Sequence, residues 1–429
     1  MTGRLNALYS LVVLFFVLAR LPRYAFQRLR YGRYRGVLLQ RLGFLPRDVT
    51  SAGSRSPIWI HAVSVGEANA ARPLVALLRE RHTDRSIILS TVTDTGQEIA
   101  RAMPELAGTF YFPIDLRICC QRVISMVRPS LVILVETEIW PNFLRELRQR
   151  RVPVALVNGR ISDRSFPRYR WGRRWLRPVL ESVAAFLAQT ETDAERFRQI
   201  GAPPDRIVVV GSLKFDGIRV GEARELRSEW RGRLGVAENE ILIVAGSTFE
   251  GEEEILVRVW RQVGLGKAVR LVLAPRRPER FNSVAGHLER TGVRFVRRSQ
   301  LEHAGDNAPV ILLDTVGELP MVYAAADMAF VGKSLCGVGG QNPLEAAAQG
   351  VPVVFGPHME NFRAAAEILL SSRGAVQVQN EAELARTLLH WVGDAETRGS
   401  VGRNAVHALA RHTGAANRTV KQLEDMGLL

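Results

Sequence analysis

Short apolar runs alternate with amphipathic stretches along the chain from Pro57 onward. The first half contains seven such runs, at residues 58–63, 86–93, 109–114, 131–137, 152–159, 185–190 and 206–212. Amphipathic stretches such as Arg72–Arg81 and Pro141–Arg150 lie between them. Apolar runs that alternate with helices are typical of a parallel sheet covered on both faces. The pattern therefore predicts a doubly wound α/β domain.

A polar segment of helical character, residues 217–240, interrupts this alternation, which then starts again. Seven further runs follow, at residues 241–248, 269–275, 293–299, 309–314, 328–333, 351–357 and 375–379. Two successive wound halves predict two Rossmann-like doubly wound domains facing a central cleft, and ligands of such sheets bind beyond the carboxyl ends of the strands. This architecture occurs in nucleotide-sugar glycosyltransferases, in some epimerases and in unrelated binding proteins, so it does not fix the function.

The N-terminus has a different character. Residues 5–21 read "LNALYSLVVLFFVLARL", slightly shorter than the ~20 residues that a spanning helix usually needs. Arginines and aromatic residues alternate from position 20 to position 35, a composition suited to the cytoplasmic membrane interface. We expect an uncleaved membrane-anchor helix, either spanning or lying in one leaflet; the alternatives are a signal peptide or a buried core helix.

These features predict five parts of the chain. They are an N-terminal anchor with a basic juxtamembrane segment at 1–47, a first Rossmann-like domain at 57–216, a linker at 217–240, a second Rossmann-like domain at 241–400 and a C-terminal helical segment at 401–429.

The net charge is +15, from 58 Lys and Arg against 43 Asp and Glu, and only four of the basic residues are lysines. Such a surface suits anionic partners, although a general arginine bias accounts for it equally well. Nucleic acid is the less favoured partner because no zinc-finger spacing, RNP motif or basic-region heptad is present. Three cysteines form no disulfide framework and no metal-binding pattern, which favours a cytosolic body without a metal.

The stretch "SVGE", Ser64 to Glu67, follows the first apolar run. Ser, two residues and then Glu form a capping-box pattern. Two details favour a chemical role instead. Gly66 removes bulk beside the carboxylate, and Pro73 predicts an early interruption of the helix. We expect Glu67 to point into the cleft rather than to fold back onto the backbone of Ser64.

Other polar residues of the first half also follow apolar runs. The motif "ETEIWPN" places Glu136 and Glu138 at the end of a strand, and Pro141 predicts the start of a helix. In "GSLKFD", Lys214 could neutralise a phosphate. Each signal is weak alone, because turns commonly carry such residues.

In the second half, "GGQNPLEAAAQG" contains the pattern of a helix start. Asn342 is a favoured N-cap and Pro343 a favoured first residue, while Gly339 and Gly340 allow backbone to approach a ligand. Bare amides at a helix N-terminus suit a nucleotide phosphate, and Glu345 could accept hydrogen bonds from ribose. The alternative is a second capping arrangement.

Two further strand ends of the second half carry groups that bind anions. Arg276 and Arg277 follow one strand, and a guanidinium matches phosphate or carboxylate with two parallel hydrogen bonds. Ser247 and Thr248 end another strand, where their hydroxyls and amides could hold an anion.

Seven ordered motifs resemble those of 3-deoxy-D-manno-octulosonic acid (Kdo) transferases of lipopolysaccharide biosynthesis. They are "HAVSVGE", "ETEIWPN", "LKFD", "AGST", "PRRPERF", "DTVGEL" and "GGQNPLEAAAQG". The resemblance implies a membrane-associated glycosyltransferase with paired Rossmann domains (GT-B type). Such enzymes transfer Kdo from CMP-Kdo to a lipid A precursor, resembling lipid IVA, with inversion and without a metal or other cofactor. It also implies attachment to the bacterial inner membrane with the catalytic domains on the cytoplasmic side.

The resemblance assigns roles to residues. Glu67 matches the general base, with Ser64 and Gly66 beside it. Glu136, Glu138 and Lys214 match the acceptor side of the cleft, so residues 57–216 form the acceptor-side domain. The donor domain, 241–400, carries the matching donor-binding residues Ser247, Thr248, Arg276, Gly339, Gly340, Asn342 and Glu345, with Glu345 at the ribose.

Two departures from the family pattern fall on the donor side. Phe249 and Gln341 stand where the family usually has His. They leave the base in place but affect how the donor phosphate and sugar are held. Two alternatives therefore stay open: a GT-B transferase or epimerase that uses a UDP-sugar, and a catalytically inactive, membrane-tethered nucleotide-binding protein.

Overall fold

The protein is described by a computed structural model, which covers residues 8–19, 36–53, 56–216, 223–301 and 308–429. Two compact units divide the chain. The first comprises residues 1–217 together with the C-terminal residues 413–429, and the second comprises residues 218–412.

The first unit contains a parallel sheet of seven strands in the order β3-β2-β1-β4-β5-β6-β7. Its strands are β1 (Ile58–His61), β2 (Ile87–Thr91), β3 (Gly108–Tyr111), β4 (Leu131–Val135), β5 (Val154–Gly159), β6 (Ala185–Ala188) and β7 (Ile207–Val209). Each of the seven predicted apolar runs overlaps one strand, because strands covered on both faces are largely apolar.

Helices pack on both faces of this sheet. They are α1 (residues 8–19), α2 (Val37–Arg41), α3 (Arg47–Ala52), α4 (Val65–Arg81), α5 (Asp94–Arg101), α6 (Arg117–Val127), α7 (Pro141–Gln149), α8 (Phe166–Trp171), α9 (Arg173–Leu180) and α10 (Glu191–Ile200). Short 3₁₀ turns occur at Pro204–Arg206 and Leu213–Phe215.

The second unit repeats the plan with a parallel sheet in the order β10-β11-β9-β8-β12-β13-β14. Its strands are β8 (Ile241–Thr248), β9 (Val269–Pro275), β10 (Phe295–Arg297), β11 (Val310–Leu312), β12 (Met328–Val331), β13 (Val353–Phe355) and β14 (Ala375–Gln377). The two doubly wound parallel sheets predicted from the sequence are thereby confirmed.

The helices of the second unit are α11 (Ala223–Arg233), α12 (Glu252–Val263), α13 (Phe281–Arg290), α14 (Leu319–Ala325), α15 (Leu344–Ala347), α16 (Arg363–Ser371), α17 (Glu381–Gly393) and α18 (Ala395–His412). Turns of 3₁₀ helix occur at Pro278–Arg280, Arg298–Gln300 and Glu360–Phe362. Of the predicted linker 217–240, residues 217–222 lie outside the described part of the chain.

The predicted C-terminal segment 401–429 is divided between the two units. Its first residues continue α18 of the second unit, whereas α19 (Ala415–Asp425) packs into the core of the first unit beside α4. The carboxylate of Asp216 accepts hydrogen bonds from the backbone N–H groups of Gly414, at 2.6 Å, and Ala416. The "LKFD" motif thus ends in the residue that caps the returning helix.

Helix α4 runs through Pro73 without interruption, contrary to the break expected there. Proline removes one backbone hydrogen bond of a helix interior. The opposite face of α4 buries a row of small and aliphatic side chains, including Ala71, Leu74 and Val75, against the sheet. We attribute the continuity of the helix to this packing.

Helix α1 exposes several large apolar side chains and is attached to the first unit near its start. Leu11, Phe15 and Phe16 are exposed, while the Tyr9 hydroxyl donates a 2.9 Å hydrogen bond to Oδ2 of buried Asp115. Among the described residues, no helix has both the length and the apolar character needed to cross a membrane. The predicted anchor therefore stays a prediction, and its arginine-rich continuation at 20–35 lies outside the described residues.

Each sheet has one point where the strand order reverses direction. In the first unit it lies between β1 and β4, and in the second between β8 and β12. The connections that leave such a pair of strands diverge, which opens a crevice at their carboxyl ends where ligands of these folds bind. A ligand site is therefore expected among the residues that follow these four strands.

Candidate active site

Three carboxylates and a lysine gather at the switch point of the first unit. Glu67 lies in the first turn of α4, just after β1, and Glu136 and Glu138 follow β4. The Lys214 ammonium, contributed by the 3₁₀ turn after β7, lies 2.7 Å from Oε1 of Glu136. The structure thus brings the predicted acceptor-side residues together.

Glu67 folds back toward the start of its own helix, where we had expected it to turn away. Its Oε2 accepts a 2.6 Å hydrogen bond from the backbone N–H of Val63, and its Oε1 accepts a 3.0 Å bond from the Ser64 hydroxyl. This resembles a capping box, but the backbone donor is Val63, one residue before the N-cap, and the second donor is a side-chain hydroxyl. Because an ionised carboxylate offers about four lone-pair sites, two remain for a substrate hydroxyl. Capping and base chemistry are therefore compatible at this residue.

Burial and neighbouring charges favour the protonated form of Glu67. Partial burial raises its pKa most, the Val63 N–H acts in the opposite direction, and the nearby Glu136 carboxylate raises it further. A carboxylate with a raised pKa is a stronger base than an exposed one. The pKa of Glu67 is thus shifted in the direction that suits proton abstraction.

Glu138 has the larger shift of the two. Burial, assisted by repulsion from Glu67 and Glu136, raises its pKa to about 8. Glu136 itself is held by Lys214 and adopts φ of +64°, a left-handed conformation that is uncommon for a residue with a side chain. Glu138 therefore keeps its proton at neutral pH, as a carboxyl that acts as an acid or a hydrogen-bond donor does.

Replacing Glu138 with Gln is expected to flatten the pH dependence of stability. The folded protein holds a proton on Glu138 up to about pH 8, whereas the unfolded chain releases it near the ordinary value of 4.5. The wild-type free energy of unfolding should therefore fall as pH rises between these values, and Glu138→Gln should remove that part of the decline. Urea unfolding at a series of pH values measures the slope. Equal slopes in the two proteins would contradict the assignment.

A cavity of about 630 Å³ opens at the switch point of the second unit. Its lining residues are Thr248, Phe249, Arg276, Arg277, Pro278, Glu279, Arg280, Lys333 and Gln341. Two of the predicted donor-binding residues, Thr248 and Arg276, are among them, as are both positions that depart from the family pattern. Positive side chains predominate in this lining, which suits an anionic ligand.

The helix start predicted at Asn342 is one residue later and short. Helix α15 begins at Leu344 and has four residues. Asn342 nevertheless caps it: its Oδ1 accepts the N–H of Leu344 at 3.1 Å, and its Nδ2 donates to Oε1 of Glu345 at 3.1 Å. Burial raises the pKa of Glu345, while Asn342 and Arg276 lower it. The local pattern is thus the capping arrangement that the sequence left open, and Arg276 lies near it.

Gly339 and Gly340 have conformational and steric roles. Their φ angles are +105° and +66°, in the left-handed region that favours glycine. A Cβ at Gly339 would lie 2.3 Å from Nδ2 of Asn361, and one at Gly340 would lie 2.8 Å from the carbonyl oxygen of His358. The glycines therefore allow the segment 358–361 to approach the "GGQNPLE" loop.

Ser247 and Thr248 lie at the end of β8 but differ in role. Ser247 adopts φ of +54°, whereas the Thr248 hydroxyl donates a 2.7 Å hydrogen bond to the buried carboxylate of Glu253. Glu253 also holds Arg280 through two hydrogen bonds, at 2.7 and 3.0 Å. Thr248 and Arg280 are thus fixed in the cavity wall by the same carboxylate.

Glu252 is the residue that sequence reasoning missed. It is fully buried at the start of α12. Its carboxylate accepts five backbone N–H groups, from Phe249, Lys333, Ser334, Leu335 and Cys336. These hydrogen bonds join the loops that leave β8 and β12, the two strands of the switch point. The signal in the sequence was the acidic run "GEEE", which predicts a helix start but does not identify the distant partner loop.

Comparisons with known proteins identify the family of the chain. Residues 37–217 match the family model described as 3-deoxy-D-manno-octulosonic-acid transferase (kdotransferase). A protein of Haemophilus influenzae with that name is 34% identical over 400 residues, which span 91% of this chain and 92% of the relative. The chain belongs to the Kdo transferase family. A Kdo transferase of Bordetella pertussis is 35% identical over 89% of this chain and 91% of its own length.

Solved structures support the fold independently. The UDP-GlcNAc 2-epimerase of Neisseria meningitidis, bound to UDP-GlcNAc, aligns over 86% of this chain and all of its own with a TM-score of 0.60 and 12% identity. An Anabaena protein, HepE, in complex with UDP, covers 87% of the chain and all of its own at TM-score 0.56 and 16% identity. At such low identity these similarities show a shared α/β architecture with two parallel sheets. They carry no information about the substrate of this chain.

Proposed function

We propose that this member of the Kdo transferase family is an inverting glycosyltransferase that transfers Kdo from CMP-Kdo to a lipid A precursor resembling lipid IVA. The observation that carries the proposal is the position of the family motifs. Four of the seven, "HAVSVGE", "ETEIWPN", "AGST" and "GGQNPLEAAAQG", lie at the ends of the strands that form the two switch points. A cluster of carboxylates lies at one switch point, and a cavity rich in cationic residues lies at the other. Each is the type of group that one half of the reaction needs.

The second unit would bind the donor. Departure of CMP from the ketose carbon leaves negative charge on the phosphate, and fixed cations stabilise that charge as it develops. Arg276 and Arg277 line the cavity and supply positive charge there. Glu345 is proposed to bind the ribose. It lies near Arg276, whose charge lowers the pKa of its carboxyl. The proposal assigns charge neutralisation to side chains, without a metal or other cofactor.

The first unit would activate the acceptor. A sugar hydroxyl becomes a competent nucleophile when a carboxylate takes its proton in the transition state. Glu67 is proposed as that base, since it has free lone pairs and a raised pKa. Glu138, protonated at neutral pH, could donate a hydrogen bond to the acceptor. Attack from the face opposite the leaving phosphate inverts the configuration at the ketose carbon.

We further propose that the protein works at the cytoplasmic face of the bacterial inner membrane. The acceptor is an anionic glycolipid held in a bilayer. The exposed apolar side chains of α1 and the net charge of +15 support attachment to such a surface.

The test is transfer by the purified full-length protein in mixed micelles with a tetra-acylated lipid A precursor. With CMP-Kdo, mass spectrometry should show an acceptor heavier by one or more Kdo residues, and released CMP should accumulate in proportion. Parallel reactions with UDP-glucose and UDP-N-acetylglucosamine should leave the acceptor unchanged. Transfer or epimerisation with a UDP-sugar would overturn the proposal, as would binding of CMP-Kdo without turnover.

A further inference from the structure

Lys333 occupies an unusual backbone position at the switch point of the second unit. It follows β12 by two residues, and its φ of +56° lies in the left-handed region. A residue with a side chain is uncommon there, and such outliers concentrate at ligand sites. Lysine is also scarce in this chain, which has four lysines in 429 residues.

The stem of Lys333 is packed against neighbouring residues. Glu252 accepts its backbone N–H at 2.7 Å and that of Phe249 at 2.8 Å, both through Oε2. A Cβ built on Gly337 would lie 2.7 Å from Cγ of Lys333 and 3.3 Å from Cδ1 of Phe249, so the missing side chain of Gly337 leaves room for both. The Lys333 ammonium lies 5.9 Å from the centre of the Phe249 ring.

Lys333 is one of four cationic residues that line the 630 Å³ cavity, and one of the four is already engaged. Arg280 is held by two hydrogen bonds to Glu253. The other three are Arg276, Arg277 and Lys333. Phe249 and Gln341 contribute no charge, and Glu279 is the single acidic residue in the described lining. Lys333 therefore adds positive charge on the wall formed by the loop after β12.

We propose that the Lys333 ammonium binds an anionic group of the donor, either the nucleotide phosphate or the carboxylate of the sugar. The inference rests on the proposed function, because it takes the cavity to be the donor site. An ammonium pairs with either group as a compact point charge. Glu252 holds the backbone of Lys333 by a hydrogen bond, and the absence of a side chain at Gly337 leaves room for the lysine stem. The left-handed φ of Lys333 is part of the loop that leaves the switch point.

Three substitutions of Lys333 test this role by calorimetry on the full-length protein. Lys333→Gln keeps the length of the stem without the charge, Lys333→Gly removes the side chain at a φ that glycine adopts readily, and Lys333→Arg keeps the charge. Lys267→Gln, in the turn between α12 and β9, is the matched control. The ligands are CMP-Kdo, CMP and cytidine, which differ stepwise in their anionic groups.

Loss of a hydrogen bond to a charged group should weaken CMP-Kdo binding about 10-fold or more in Lys333→Gln and Lys333→Gly. Lys333→Arg and Lys267→Gln should stay within about 3-fold of wild type, since each keeps the cation at position 333. An equal loss for CMP would identify the phosphate as the partner; a loss confined to CMP-Kdo would identify the carboxylate. Cytidine affinity should not change.

Two results would overturn the proposal. One is binding of CMP-Kdo and CMP within 2-fold of wild type in both neutral variants. The other is an equal loss for cytidine, which would assign Lys333 a structural role only. The outcome is separate from that of the proposed function: a wild-type protein that binds CMP-Kdo but transfers nothing would refute the transferase while the affinities still decide the role of Lys333.

Discussion

Replacing Glu67 with Gln should lower the rate of Kdo transfer by about 10²–10⁴-fold, the range that general-base catalysis contributes. Gln has the shape of the carboxylate and keeps an oxygen that can accept the Val63 N–H, but it cannot take a proton from the acceptor. The affinity for CMP-Kdo should be unchanged, because the cavity proposed to bind the donor lies in the second unit. Steady-state kinetics with saturating donor and acceptor measure the effect.

The chain supplies a control for the capping role of Glu67. Glu383 accepts the backbone N–H of Gln379 at 2.8 Å, in the same i to i+4 relation as Glu67 and Val63, at the N-terminus of α17. Glu383→Gln should leave transfer within about 2-fold of wild type, since only a cap is affected and caps contribute ~1 kcal/mol. Near-normal transfer by a folded Glu67→Gln protein would remove Glu67 from the role of base.

Replacing Glu252 should have the largest effect on stability. Glu252→Ala leaves five backbone N–H groups, one buried and four partly buried, without their acceptor, which should cost about 3 kcal/mol or more of the free energy of unfolding of the second unit. Glu252→Gln keeps one acceptor oxygen but turns an NH₂ group toward backbone donors, so it should also destabilise the unit. Urea unfolding of the full chain measures the loss.

Amide hydrogen exchange can locate the loss of stability at individual residues. The amides of Phe249 and of residues 333–336 should lose protection in both Glu252 variants, because their acceptor is altered. The neighbouring Glu254 has a side chain that is 56% exposed and serves as the control. Glu254→Ala should change neither the stability nor the protection of the loops. Unchanged protection at 333–336 in Glu252→Ala would contradict the role assigned to the carboxylate.

The arrangement of strands was predictable because burial on both faces makes each strand an uninterrupted apolar run. Thirteen of the fourteen predicted runs contain a strand of the two seven-stranded sheets, and the run 109–114 overlaps the strand that begins at Gly108. Local expectations at helix starts were weaker. Pro73 did not end α4, since packing of the whole helix outweighs one missing hydrogen bond. Glu67 folded back because the Val63 N–H and the Ser64 hydroxyl both lie within its reach.

The site was predictable only where motifs are local in sequence. "SVGE" and "ETEIWPN" identified their carboxylates, because both follow strands that meet at a switch point. Glu252 and its partner loop are 81–84 residues apart, and pairing over such distances leaves no periodic pattern in a single sequence. Lys333 carried a faint signal, the scarcity of lysine, but its left-handed backbone becomes visible only in the folded chain.

The return of α19 to the first unit constrains how this protein can be synthesised and divided. Ala416, Val420 and Leu423 complete the core against α4, the helix that carries Glu67. The ribosome makes these residues after the entire second unit. An emerging chain therefore keeps the part of α4 that α19 covers exposed until the second unit has been synthesised, although domains generally fold in order of synthesis. A fragment cut after residue 216 would keep this part of α4 exposed; to be soluble, it needs α19 supplied by fusion or as a peptide.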